Sequence, residues 1–132
     1  MKLSLFIYNS DCNETEQISK ILENDFTIIS FNNKDRALQF ISLYYNWFDA
    51  AILSHESLNG DEIGFINELS RQNPKIPFVI IANDENSPKN VFRNPAAPFT
   101  FLQRPFNVNS IYDFANQTKR KVSASVSLNM WN

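Results

Sequence analysis

The sequence predicts an α/β domain built on a parallel sheet, and three observations carry that expectation. Five short apolar runs, at residues 3–8, 26–31, 50–53, 78–82 and 99–102, recur with polar, helix-patterned segments between them, the rhythm of strands joined by crossover helices. Runs such as Phe78-Val79-Ile80-Ile81-Ala82 are apolar at every position rather than at alternate ones, which suits central strands covered on both faces. The chain has 132 residues, enough for one compact core that buries about two-thirds of the unfolded surface.

The elements follow in order. After the first run, Ile18, Ile21 and Leu22 repeat at helical spacing, and Asp11 followed by Glu14 forms a capping pair for that helix. After the second, the polar cluster Asn32-Asn33-Lys34-Asp35 opens a helix whose stripe is Ala37, Leu38, Ile41, Tyr44, Tyr45 and Phe48. Its aromatic end, with Trp47, is expected to be core and cover over the sheet edge. A third helix starts near Asn59-Gly60-Asp61 and buries Ile63, Ile66 and Leu69 before Pro74 ends the pattern. The fourth is expected to be short or irregular, because only residues 89–94 separate the Pro88 turn from Pro95 and Pro98. The last begins around Asn107 to Asn109 and carries Val108, Ile111, Tyr112 and Ala115 on one face. Lys119, Arg120 and Lys121 fit its final turn, where cations complement the helix dipole. The domain therefore spans residues 1–120. In the tail, 121–132, Val122, Ala124, Val126, Leu128 and Met130 alternate with Ser123, Ser125, Ser127 and Asn129, a period-2 pattern that fits an extra strand or, at a terminus, a flexible end.

Composition narrows the function classes. Hydrophobic residues make up 43% and charged residues 20%, with a mean hydropathy of −0.31, so neither disorder nor membrane insertion is expected. The net charge of −2 provides no basic surface of the kind that gathers nucleic acid. A lone cysteine, Cys12, and a lone histidine, His55, form neither a disulfide nor a zinc-ligand set. The first residues run into a strand without a charged n-region, so no export signal is expected and the cytoplasm is the expected compartment.

In an open α/β sheet the functional crevice lies at the carboxyl ends of the strands. The residues there are Asn9-Ser10-Asp11, Ser54-His55-Glu56, Ala82-Asn83 and Gln103-Arg104-Pro105-Phe106. Residues 5–11 resemble the strand of response regulator receiver domains that ends in an acidic pair. Leu102-Gln103-Arg104-Pro105-Phe106 resembles that family's Lys-Pro-Phe turn, and Asp49-Ala50-Ala51-Ile52-Leu53-Ser54 its phosphoacceptor segment. The resemblance also takes in residues 57–64 and 76–82 and covers about residues 2–120. It implies a flavodoxin-like, three-layer fold with strand order 2-1-3-4-5 and a role in two-component signalling.

Each chemical position departs from the family pattern. The resemblance places the metal-binding acids on Asn9 and Ser10, the phosphoacceptor on Ser54, the hydroxyl residue after strand four on Ala82 and the lysine on Arg104. The aromatic switch falls on Phe101, which lacks a hydroxyl. Aspartyl phosphorylation needs a carboxylate nucleophile and a hard cation held by several oxygens. With Asp11 the remaining nearby acid and Glu56 less certain, no metal site and no cofactor are expected. Arg104 is expected to pair with Asp11 instead.

The leading expectation is a non-enzymatic pseudo-receiver. It binds a protein partner, or a second copy of itself, without phosphorylation, through the family's helix four, strand five and helix five face. Two alternatives stay open. One is a flavodoxin-like small-ligand binder, against which stands a first loop, Asn9 to Thr15, with two acids and no glycine. The other is a hydrolase using Ser54, against which stands the absence of a Gly-x-Ser-x-Gly elbow.

Overall fold

The computed structural model describes residues 3–44, 47–56, 60–72, 76–83 and 99–130, without the side chains of residues 99 and 121–130. The elements are β1 (Leu3–Asn9), α1 (Cys12–Leu22), β2 (Phe26–Phe31), α2 (Lys34–Tyr44), β3 (Ala50–Ser54), α3 (Gly60–Gln72), β4 (Phe78–Ala82), β5 (Phe99–Gln103) and α4 (Val108–Met130). The short or irregular helix expected at 89–94 lies outside the described residues.

The five strands form one parallel sheet in the order β2-β1-β3-β4-β5, the flavodoxin-like arrangement. Strand side chains alternate between the faces, and the core divides accordingly. Leu5, Ile7, Ala50, Ile52, Val79 and Ile81 pack against Ile18 and Leu22 of α1 and Ile111, Phe114 and Ala115 of α4. Phe6, Tyr8, Ala51, Leu53, Phe78 and Ile80 pack against Ala37 and Ile41 of α2 and Phe65, Ile66 and Leu69 of α3. Every residue of β3 and β4 is buried. That two-sided cover is why these strands read as unbroken apolar runs.

Asn or Asp side chains open three of the helices. Asp11 caps α1 by accepting from the backbone N–H groups of Asn13 at 2.9 Å and Glu14 at 3.3 Å. Asn33 accepts from Arg36 N–H at 3.1 Å and Asn107 from Asn109 N–H at 2.9 Å. Each satisfies a donor that the first helical turn leaves without an intrahelical partner.

Three expectations are corrected. Residues 121–130 are helical and continue α4, so the Val122-to-Met130 alternation does not form an extra strand. No glycine or proline stops the helix after Lys121, and extending a formed helix avoids the nucleation cost that a new element would meet. Lys119, Arg120 and Lys121 are therefore interior to α4 rather than its last turn, and Lys119 pairs with Asp25 at 3.3 Å. The buried face of α4 is Ile111, Phe114, Ala115 and Thr118, whereas Val108 and Tyr112 are 47% and 46% exposed. After α2, Phe48 is core, while Tyr44 packs on Phe40 at 4.8 Å and Trp47 on Tyr44 at 4.9 Å as a partly exposed cover; Tyr45 lies outside the described residues.

This division of the core sets the cost of truncation. Ile52→Ala, at a fully buried position, should lower unfolding free energy by about 2–5 kcal/mol. Leu43→Ala, where the leucine is 74% exposed, should stay within about 0.5 kcal/mol of the parent. Urea unfolding followed by circular dichroism measures both, and equal losses would contradict the packing described.

Candidate functional site

Parallel register brings the carboxyl ends of β1 and β3 side by side, with Asn9 opposite Ser54, and those of β4 and β5, with Ala82 opposite Gln103. Asn9 and Ser54 are buried, at 2% and 0% exposure, although both are polar. Buried polar groups need partners, and here one carboxylate supplies them. Glu14, in the first turn of α1, accepts from Asn9 Nδ2 at 2.9 Å and from the Ser54 hydroxyl.

Arg104, immediately after β5, completes the cluster. Its Nε donates to Glu14 Oε2 and its Nη2 to Glu14 Oε1, both at 2.8 Å, a bidentate pair. Nη2 also donates to Ser54 Oγ, while Nη1 donates to the His55 carbonyl and, at 3.2 Å, to Asn83 Oδ1. A guanidinium carries five N–H groups, and these five contacts use all of them. The Arg104 hydrogen bond is the main reason the Glu14 carboxyl is held below the usual carboxylate range; Ser54 and Asn9 add to it and burial opposes it.

The residues at the crevice are thus assigned. Asn9, Ser54 and Arg104 come together; Ala82 is buried beside them and accepts from Arg104 N–H at 3.0 Å through its carbonyl. Ser10, Asp11 and Glu56 are exposed and outside the cluster. The expected Arg104–Asp11 pair is not formed. Asp11 caps α1, its own N–H bound by Asn9 Oδ1 at 2.9 Å, and Glu14 takes the arginine. Glu14 is also not the reciprocal half of a capping box, because its carboxylate turns into the crevice. One sequence signal pointed to it: Glu14, Ile18, Ile21 and Leu22 share the helix face that packs on the sheet. Phe101 is partly buried against the α2–α3 core.

A second polar cluster lies across the sheet. His55 projects to the opposite face from Ser54, its ring 5.4 Å from Tyr8 and 5.9 Å from Phe65. Its Nδ1 meets Glu62, whose other oxygen holds Lys34. Burial lowers the His55 pKa to about 4, outweighing the Glu62 carboxylate that favours protonation, while Lys34 and Arg104 oppose it. Tyr8 is raised, first by burial and then by Glu62.

No family model matches the sequence, and no curated protein matches it either. Solved structures match across nearly the whole chain. A response regulator receiver domain from Clostridium thermocellum has a TM-score of 0.75 at 12% identity, covering 92% of this chain and 98% of that one. The signal receiver domain of an HD domain-containing protein from Pseudomonas fluorescens Pf-5 gives 0.75 at 12%, covering 94% and 99%. A Francisella response regulator receiver domain gives 0.72 at 17%, covering 92% and 99%. The fold is that of a response regulator receiver domain. Within that receiver fold, Asn9, Ser54 and Arg104 converge at the carboxyl ends of β1, β3 and β5.

Two outcomes follow from the electrostatics. Glu14 and Arg104 side chains are only 14% and 22% exposed, so Arg104→Met leaves a carboxylate without its main partner and should cost about 3–5 kcal/mol. A cycle with Glu14→Gln should show a coupling of about 1–3 kcal/mol between the two sites. Additive losses in urea unfolding would mean that the pair is not coupled. The His55 pKa is depressed on folding, so the unfolded state binds the extra proton between about pH 6.5 and pH 4, and stability declines as pH falls through that window. Glu14 acts lower, its contribution fading as pH drops beneath the ordinary carboxylate range. His55→Gln should flatten the decline between pH 6.5 and 4.5, where Glu14 stays ionised, and an unchanged slope would exclude His55 as its source.

Proposed function

We propose that this chain is a receiver-like regulatory module that works through protein contacts and is not phosphorylated on aspartate. The observation that carries the reading is the saturation of Arg104: Glu14, Ser54, His55 and Asn83 take all five of its N–H groups. An incoming phosphoryl group would need donors or a cation to neutralise it, and this cation is already engaged.

The other positions support the same reading. Ser54 stands where the resemblance aligns the phosphoacceptor, and its hydroxyl donates to Glu14 while accepting from Arg104. The receiver fold implies a divalent cation beside that position, and the residues present do not fit one. A hard cation takes several carboxylate or carbonyl oxygens; here the Asn9 side-chain oxygen is taken by the Asp11 N–H and the Glu14 carboxylate is neutralised by Arg104. No phosphoryl step is therefore derived.

A hydrolytic role is not favoured either. The His55 imidazole is on the other face of β3 from the Ser54 hydroxyl and cannot serve it as base. Receiver domains in general engage protein partners. For this chain we place the contact on the face flanked by the segment after β4, β5 and α4, with a cytoplasmic partner or a second copy as the bound species. No helix among the described residues is long and apolar enough to cross a membrane.

Acetyl phosphate or beryllofluoride with magnesium tests the reading directly. Intact mass should show no phosphoryl adduct, and two-dimensional amide spectra should show no shifts at Asn9, Ser54 or Arg104. An adduct, or saturable shifts at those residues, would overturn it.

A further inference from the structure

Beside the Arg104–Glu14 pair lies a cavity of 520 Å³ between α1, the turn after β5 and the start of α4. Its walls are Ile18 and Ile21 of α1, Pro105 and Phe106 of the turn, and Val108 of α4; Arg104, Glu14 and Gln17 complete the lining. The volume falls in the range of about 300–1,000 Å³ typical of small-molecule sites, which are mostly apolar with a few fixed polar groups. Val108 is 47% exposed, and Ile21 and Phe106 only partly covered, so this apolar lining meets solvent.

The polar part of the lining constrains what can enter. Arg104 directs its in-plane donors at Glu14, Ser54, His55 and Asn83. With those donors engaged, the parts of Arg104 left to meet a ligand are its carbon stem and the flat face of the guanidinium, a surface that stacks on planar π systems. Glu14 Oε1 already accepts from Asn9, Ser54 and Arg104. An anionic ligand would meet that carboxylate with no guanidinium N–H free to bind it and only the uncharged amide of Gln17 as a side-chain donor, and a cationic one would meet the guanidinium.

The geometry points to a binding site for a neutral, planar aromatic small molecule, held between the aliphatic walls of α1 and α4 and the face of the Arg104–Glu14 pair. The site uses the same pairing as the proposed function and does not depend on its conclusion. A phosphoryl adduct would overturn that reading and leave this one standing.

Indole and indole-3-carboxylate, the same ring with and without a charge, test the site by titration into the isotope-labelled full chain. Indole should give saturable amide shifts at Ile18, Ile21, Phe106 and Val108 with a Kd of about 0.1–1 mM, as expected for a small ligand. The carboxylate should bind about tenfold or more weakly, for want of a free cationic donor. Val108→Trp fills the cavity from an exposed position and should abolish the indole shifts while the unfolding midpoint is kept. Ile21→Trp provides the same test from α1. The site is overturned if indole gives no saturable shifts, if the carboxylate binds equally well, or if either folded tryptophan variant binds indole as the parent does.

Discussion

The Glu14–Arg104 pair joins residues 90 apart in sequence and ties together the carboxyl ends of the sheet. Through one guanidinium, α1 is linked to the end of β3, to the residue after β4 and to the residue after β5. Both partners are mostly removed from water, so neither can be desolvated without the other. Such a pair is weak ground for claiming net stability, since its attraction repays a desolvation cost, but it strongly specifies geometry. The Asn9 amide N–H and the Ser54 hydroxyl hydrogen, both in buried residues, keep their acceptor only while this carboxylate stays in place. The arrangement of the crevice is therefore conditional on a single long-range contact.

β3 distributes its last residues to two chemical environments. Ala50, Ile52 and Ser54 face α1 and α4, whereas Ala51, Leu53 and His55 face α2 and α3. Ser54 thereby joins the arginine cluster and His55 the Glu62–Lys34 cluster. The two remain in contact through the main chain: the His55 carbonyl accepts from Arg104, and its N–H donates to Ile81 O at 2.8 Å. Strand alternation, a backbone property, keeps apart two side chains that adjacency in sequence makes look like a catalytic pair.

The fold was legible because strands covered on both sides leave a contiguous apolar signature bounded by polar turns. β2 and β4 coincide with the predicted runs, and the others extend by one residue into the crevice, where a polar terminal residue hides the strand's end from a hydrophobicity reading. Asn9, Ser54 and Arg104 were legible as polar residues at the carboxyl ends of apolar runs, and their roles only through the resemblance. Glu14 was not, because a glutamate three residues after an N-cap aspartate has a sufficient local explanation, and only its place on the packed face of α1 distinguishes burial from capping. The end of α4 misled for a related reason: alternating serine carries little information when the residues between are small and apolar, and the preceding helix decides the conformation. On α4 itself the three- and four-residue steps permit two overlapping stripes, and contact with α1 selects Ile111, Phe114, Ala115 and Thr118.

In the receiver-like reading proposed above, charge rather than space would close the crevice to anions. Glu14 and Arg104 cancel, so a doubly charged group arriving there would gain no net attraction from the pair and would face a carboxylate that other donors hold ionised. Releasing Arg104 to meet it would strand Glu14 in a largely buried site and take a donor from Ser54, Asn83 and the His55 carbonyl at once. Each contact is modest, yet they share one side chain and so break together. On its apolar side the same pair presents no open hydrogen-bonding edge, only surface for packing. A residue pair that is neutral and has its guanidinium donors engaged would give a phosphate little to bind, and to the adjoining cavity it would offer a surface for packing.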